Sequence, residues 1–163
     1  MLTDYTSYAQ IRATLSVTDD ELQDSNLELP FIYSKLLDNL EELSVDMQAV
    51  YEGLYAQPPE DLSANEEKFI RRMGVYATYQ VAVQLLDSLP LLAVQTEQDA
   101  RASYERFEKP FERVDASVRA TFAVAKKKLI EAFNTIATTP IAVNTASRVY
   151  TSAVVPSYDP VTG

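Results

Sequence analysis

Residues 29–54 read LPFIYSKLLDNLEELSVDMQAVYEGL, and within them Leu29, Ile32, Leu36, Leu40, Leu43, Met47, Val50 and Leu54 recur every three or four positions. That spacing draws one apolar stripe along a helix, so the segment from about Leu27 to Ala56 is predicted to be helical and to bury the stripe. Pro30 suits the first turn, where its missing N–H has no helical partner, and Ser44 marks a break into two shorter helices. Gln57-Pro58-Pro59-Glu60 ends the segment, because a residue before proline avoids helical geometry.

The same period continues outward on both sides. Toward the N-terminus, Tyr8, Ile11 and Leu15 share one side of a helix predicted over Ser7–Leu15, an apolar side suited to docking. Thr18-Asp19-Asp20-Glu21 has the form of a capping box, in which hydroxyl and carboxylate each satisfy an unpaired backbone N–H, so a turn of helix is expected to begin there. Toward the C-terminus, Ser63-Ala64-Asn65-Glu66 repeats that form, and Phe69, Met73, Tyr76, Val83 and Leu86 predict a helix to about Ser88. Gly74 lies inside it at a cost of about 1 kcal/mol relative to alanine, which points to a close approach by another backbone. Leu89-Pro90-Leu91-Leu92-Ala93-Val94 is an apolar connection expected beneath the bundle or in a subunit contact. Beyond it Thr96-Glu97-Gln98-Asp99 resembles an N-terminal cap, and Phe107, Phe111, Val114, Val118, Phe122, Ala125, Leu129 and Ala132 carry a stripe to about Ile136. Such a helix would be roughly 60 Å long, with a kink expected at Pro110. The fold class that follows is all-α, a helical bundle with long helices over residues 1–138.

Residues 139–163 are different in kind, with Arg148 and Asp159 as their only charged side chains. Arg148–Val155, RVYTSAVV, is β-branched and aromatic enough to favour an extended strand, while Pro140, Pro156 and Pro160 oppose a helix. A strand attached to a helical body lacks a backbone partner unless it adds to a sheet or groove on another molecule. An extended C-terminal arm is therefore expected, with a reach of roughly 70 to 80 Å and with Val149, Tyr150, Val154, Val155 and Tyr158 as its partner-binding residues.

Composition narrows function mainly by exclusion. The 163 residues are 47% apolar and 23% charged, ordinary proportions for a folded domain, and carry a net charge of −10. The charge is segregated: Met1–Glu66 holds fourteen acidic and two basic side chains, and Glu67–Thr139 nine and eleven. The acidic part repels nucleic acid, yet it could meet the basic helices of a second copy. There is no His and no Cys, which removes Ser-His-Asp and Cys-His catalysis, ordinary structural zinc sites and disulfides. The three glycines, Gly53, Gly74 and Gly163, cannot build a phosphate-cradling loop. Paired carboxylates, Glu41 with Glu42 and Glu105 with Glu108 and Glu112, read as solvated helix faces, the latter neutralised by Arg101, Arg106, Lys109 and Arg113 at helical neighbour spacing. Lys126-Lys127-Lys128 is the one dense basic run and reads as a solvated or subunit-facing patch. No catalytic, cofactor-binding or metal-binding residue is assigned, and the expectation is a protein without enzymatic activity. The opening MLTDYTSYAQIR lacks the basic start and apolar run of a secretory signal, and no stretch approaches a bilayer span, so synthesis in a cytoplasm without membrane association is expected.

The opening pattern Tyr8-x-x-Ile11-Arg12-x-x-Leu15-x-Val17-Thr18-x-x-Glu21-Leu22, followed by Leu29-Pro30 and a leucine-rich helix, resembles the start of the head-to-tail connector (adaptor) proteins of tailed bacteriophages. The resemblance covers the first forty residues by pattern and the rest by architecture. It implies a structural virion protein of the neck: a ring of copies, commonly twelve, bound beneath the portal protein, with arms on the portal and another face toward tail or neck proteins. DNA would pass through the channel without specific binding during genome ejection. The alternative is an acidic helical binding module or chaperone acting as a small oligomer. A carboxylate- or lysine-based enzyme ranks below both.

Overall fold

The computed structural model describes residues 1–86 and 100–137, with side chains throughout except over 100–112. Among the described residues the structure is all-α and contains no strand. Six α-helices follow one another: α1 (Tyr8–Leu15), α2 (Asp24–Leu27), α3 (Pro30–Leu43), α4 (Met47–Tyr55), α5 (Ala64–Leu86) and α6 (Ala100–Asn134). Single 3-10 turns stand at Leu2–Asp4 and Pro59–Asp61.

Local chemistry sets the ends of these elements. Ser7 caps α1 by accepting the Gln10 N–H, and Ser16 stops it in the left-handed region at φ 57°. Pro30 occupies the first turn of α3, and Ser44 ends that helix with an extended backbone before α4 starts at Met47. Ahead of α5, Glu66 Oε2 accepts the Ser63 N–H at 2.8 Å while Ser63 Oγ accepts the Glu66 N–H at 3.4 Å. The box at Thr18 forms in the same way, with Glu21 Oε2 accepting the Thr18 N–H at 2.8 Å. It opens only a turn, however, and α2 begins at Asp24. Arg12 explains the interruption: its Nε–H donates to the Leu22 carbonyl at 2.7 Å, taking the acceptor that a continuing helix would use, and Asn26 N–H turns to Gln23 instead.

The core lies between α5 and the elements around it. Phe69 faces Phe133 and Tyr76 faces Phe122, each pair with ring centroids 5.6 Å apart. Numbering therefore rises along α5 as it falls along α6, and the two helices are antiparallel. Helices α1, α3 and α4 also pack on α5. Ile11, Leu22, Leu27, Ile32, Leu36, Leu40, Met47, Phe69, Met73 and Leu129 are fully buried, and each such side chain contributes about 1.5 to 3 kcal/mol relative to leaving it in water. The apolar side of α1, read as suited to docking, docks within its own chain, with Ile11 and Leu15 buried in this core.

One position departs from the sequence reading. Leu29, counted as the first residue of the stripe, is 43% exposed because it is the N-cap of α3 and lies outside the helical repeat. Helix α6 runs through Pro110, where a kink was expected, as one continuous element. The connection Leu89–Val94 and the cap at Thr96–Asp99 lie outside the described residues.

Gly74 has the neighbour expected of it. A Cβ there would stand 3.3 Å from the Tyr5 carbonyl oxygen, whereas one at Gly53, inside α4, would meet nothing within 4 Å. Tyr5 cannot easily retreat, since Thr6 beside it shares a buried hydrogen bond with Thr78. Gly53→Ala is expected to stabilise the fold by up to about 1 kcal/mol through helix propensity alone. Gly74→Val should destabilise it by about 1 to 3 kcal/mol through overpacking. Urea unfolding followed by circular dichroism checks both, and equal effects at the two glycines would remove the close-approach account.

Candidate interaction surfaces

The residues assigned to the arm, Val149, Tyr150, Val154, Val155 and Tyr158, lie outside the described residues, as does the rest of 138–163. Glu105, Glu108 and Glu112 fall in the part of α6 described by its backbone alone. Glu41 and Glu42 are both exposed on α3. Lys126, Lys127 and Lys128 are exposed on α6, with Lys127 Nζ 3.9 Å from Glu131. No group of three or more acidic side chains among the described residues has the arrangement to hold a metal ion. None of their helices is long and apolar enough to cross a membrane.

The most elaborate side-chain assembly joins the N-terminal turn to α4. Tyr5, Tyr51 and Tyr55 form a continuous stack, with centroids 4.8 Å apart for the first pair and 5.5 Å for the second. Tyr33 leans against Tyr5 at 6.2 Å, and Phe69 meets Tyr51 edge-on. The polar tips are also engaged: Tyr51 Oη donates to the Asp4 carbonyl at 2.7 Å and Tyr5 Oη to Glu52 at 3.4 Å. Burial pushes the Tyr51 phenol up to about 12, with Tyr55 and Asp4 adding to the effect. Burial raises Tyr5 further, helped by Tyr33 and Glu52. Tyr76, in the α5–α6 seam, is raised chiefly by burial and then by Glu42. Tyr5, Tyr51 and Tyr76 are buried, while Tyr55, at the end of the stack, is 56% exposed.

The residues that carry the resemblance make one structural corner. Ile11, Leu15 and Leu22 are buried, Val17 packs beside them, and Glu21 caps Thr18. Arg12 ties α1 to α2 through the Leu22 carbonyl and an ion pair with Asp24. The pattern thus encodes how α1 turns into α3.

Among the described residues, α3 and α6 each present an outward face. On α3 the exposed face holds Phe31, Ser34, Lys35, Asp38, Glu41 and Glu42, with Val45 just beyond the helix end. Phe31 is 57% and Val45 77% exposed. On α6 the outward face holds Ala116, Ala120, Ala123, Val124 and Lys127, with Val124 49% exposed. Phe31 and Val45 are apolar residues out of phase with the buried stripe.

The buried tyrosines set an alkaline limit on stability. A phenol whose folded pKa lies above its unfolded value near 10 contributes fully below pH 10, and the contribution is lost as pH rises through the folded value. The fold is expected to be insensitive to its tyrosines up to about pH 10 and to unfold between about pH 10 and 12. Phenolate absorbance and far-ultraviolet dichroism should then change together; early titration of all ten tyrosines in a folded chain would contradict the burial. Tyr51→Phe, which leaves the Asp4 carbonyl unpaired, should cost about 1 kcal/mol in the same assay.

Comparison with known proteins adds no relative: no family model matches the chain, and no curated protein and no solved structure matches it either.

Proposed function

We propose that this chain is a head-to-tail connector of a tailed bacteriophage, a structural virion protein of the neck whose copies form a ring between portal and tail around the DNA channel. The observation that carries the reading is the corner built by Ile11, Arg12, Leu15, Leu22 and Pro30. The residues that resemble the connector family are the ones that bury, pin and start the helices here, so the likeness concerns fold-determining positions rather than surface composition. The all-α body and the charge segregation agree with it.

In this reading the long helices pack side by side into the ring, and residues 139–163 extend as an arm. Val149, Tyr150, Val154, Val155 and Tyr158 anchor that arm on the portal or a neighbouring copy. A net charge of −10 keeps DNA from adhering as it passes, because like charge prevents close phosphate contacts. The work is geometric, with no catalytic group and no cofactor.

Deletion of residues 139–163 is expected to leave the helical dichroism of the body unchanged and to abolish binding to portal rings, measured by co-sedimentation and by low-resolution imaging of mixtures. Undiminished portal binding would overturn the arm assignment. A stable dimer beside portal rings, with no ring of its own in native mass spectrometry, would favour the acidic binding module or chaperone instead.

A further inference from the structure

The two outward helix faces have matching periods. On α3, Phe31, Lys35, Asp38 and Glu42 follow one another at intervals of four, three and four residues, and on α6 Ala116, Ala120, Ala123 and Lys127 do the same. Such a row lies along one side of a helix, and all eight residues are exposed. Phe31 and Glu42 are eleven residues apart, as are Ala116 and Lys127, which is about 16 Å along either axis.

Set side by side and parallel, the rows complement one another. The Phe31 ring meets the low surface of Ala116 and Ala120, Asp38 lies over Ala123, and Glu41 and Glu42 meet Lys127 and Lys128. Neither end of this charge pair is already neutralised: Glu41, Glu42 and Lys128 have no ion-pair partner among the described residues, and Lys127 has only the 3.9 Å approach of Glu131. Turning one row around sets Phe31 against Lys127 and leaves the glutamates over alanine, so the charges specify the direction.

The geometry points to a contact between copies of this chain, in which the outward face of α3 on one copy docks on the outward face of α6 on the next. The occupant is a second copy because each copy carries both complementary faces. A contact between two different faces leaves one of each free at the ends, so it repeats head to tail and closes into a ring where the rotation allows. The inference deepens the connector reading and rests on it only for that closure. Opposite charge across the contact makes association sensitive to ionic strength.

The absence of cysteine permits a direct test on the full chain without portal. Copies carrying Asp38→Cys are mixed under mild oxidation with copies carrying Ala123→Cys. They are expected to cross-link readily, and a mixture of Asp38→Cys with Ala116→Cys, displaced by about 10 Å along the helix, should not. In sedimentation velocity, Glu41→Lys with Glu42→Lys should weaken self-association about tenfold, as should Lys127→Glu with Lys128→Glu in a second variant. Mixing the two variants should restore it, since the basic α3 face of one then meets the acidic α6 face of the other. Dichroism confirms that each variant is folded. Equal cross-linking of the two cysteine pairs, or unchanged association of both charge variants, would overturn the contact. Displacement of the second copy by a short DNA duplex would assign the lysines to nucleic acid instead. Failure of these tests with portal binding retained would sink this contact and leave the connector reading standing.

Discussion

Helix α5 has to be covered on several sides, and the rest of the described structure is arranged to do it. Phe69, Met73, Tyr76, Ala77 and Val81 are buried, and so are Thr78, Leu85 and Leu86, which point to other parts of its circumference. A helix apolar over so wide an arc is stable only inside a layer of others. The antiparallel α6 covers one side through Phe122, Leu129 and Phe133, while α1, α3 and α4 cover others. Where the N-terminal turn crosses, α5 presents Gly74 and Thr78 in place of a large side chain, which lets the Tyr5 backbone reach the helix surface. Short helices such as α2 have little intrinsic stability, so they depend on this central element for their persistence.

How legible each part was depends on the range of the interaction behind it. The stripes of α3, α4 and α5, the cap at Ser63, the Pro30 start and the Ser44 break follow from neighbours within one or two turns, and all were readable in the residues themselves. Gly74 was readable as a helix-interior cost that pointed to a close approach by another backbone. That backbone, at the Tyr5 carbonyl, lies far away in sequence and had no local trace. The turn at Thr18 was readable as a cap, but its failure to propagate was not, because Arg12 reaches the Leu22 carbonyl from a different helix. Leu29 shows the reverse error: periodicity assigned it to the core, and its place ahead of the first turn left it in solvent.

The surfaces follow the same division. Exposed carboxylates on α3 and lysines on α6 were legible as solvated faces from sequence. That they share a spacing, and that Phe31, Val45 and Val124 interrupt them with apolar side chains, required knowing which way each helix turns. Segregated charge on a chain of net −10 carries a penalty of self-repulsion within the acidic part. In the proposed contact, basic residues of a neighbouring copy would lie against it and relieve that penalty.

The seating of the first residues on α5 also orders events in time. The hydroxyl bond between Thr6 and Thr78 spans 72 positions, and the bond from Tyr51 to Asp4 spans 47. During translation, Leu2, Tyr5 and Ile11 leave the ribosome long before the groove that receives them exists, and they wait in water until α4 and α5 have emerged. What is made before α4 and α5 is thus locked in only after them, and a nascent chain stalled before Gly74 would present those three side chains to whatever chaperone stands at the tunnel exit.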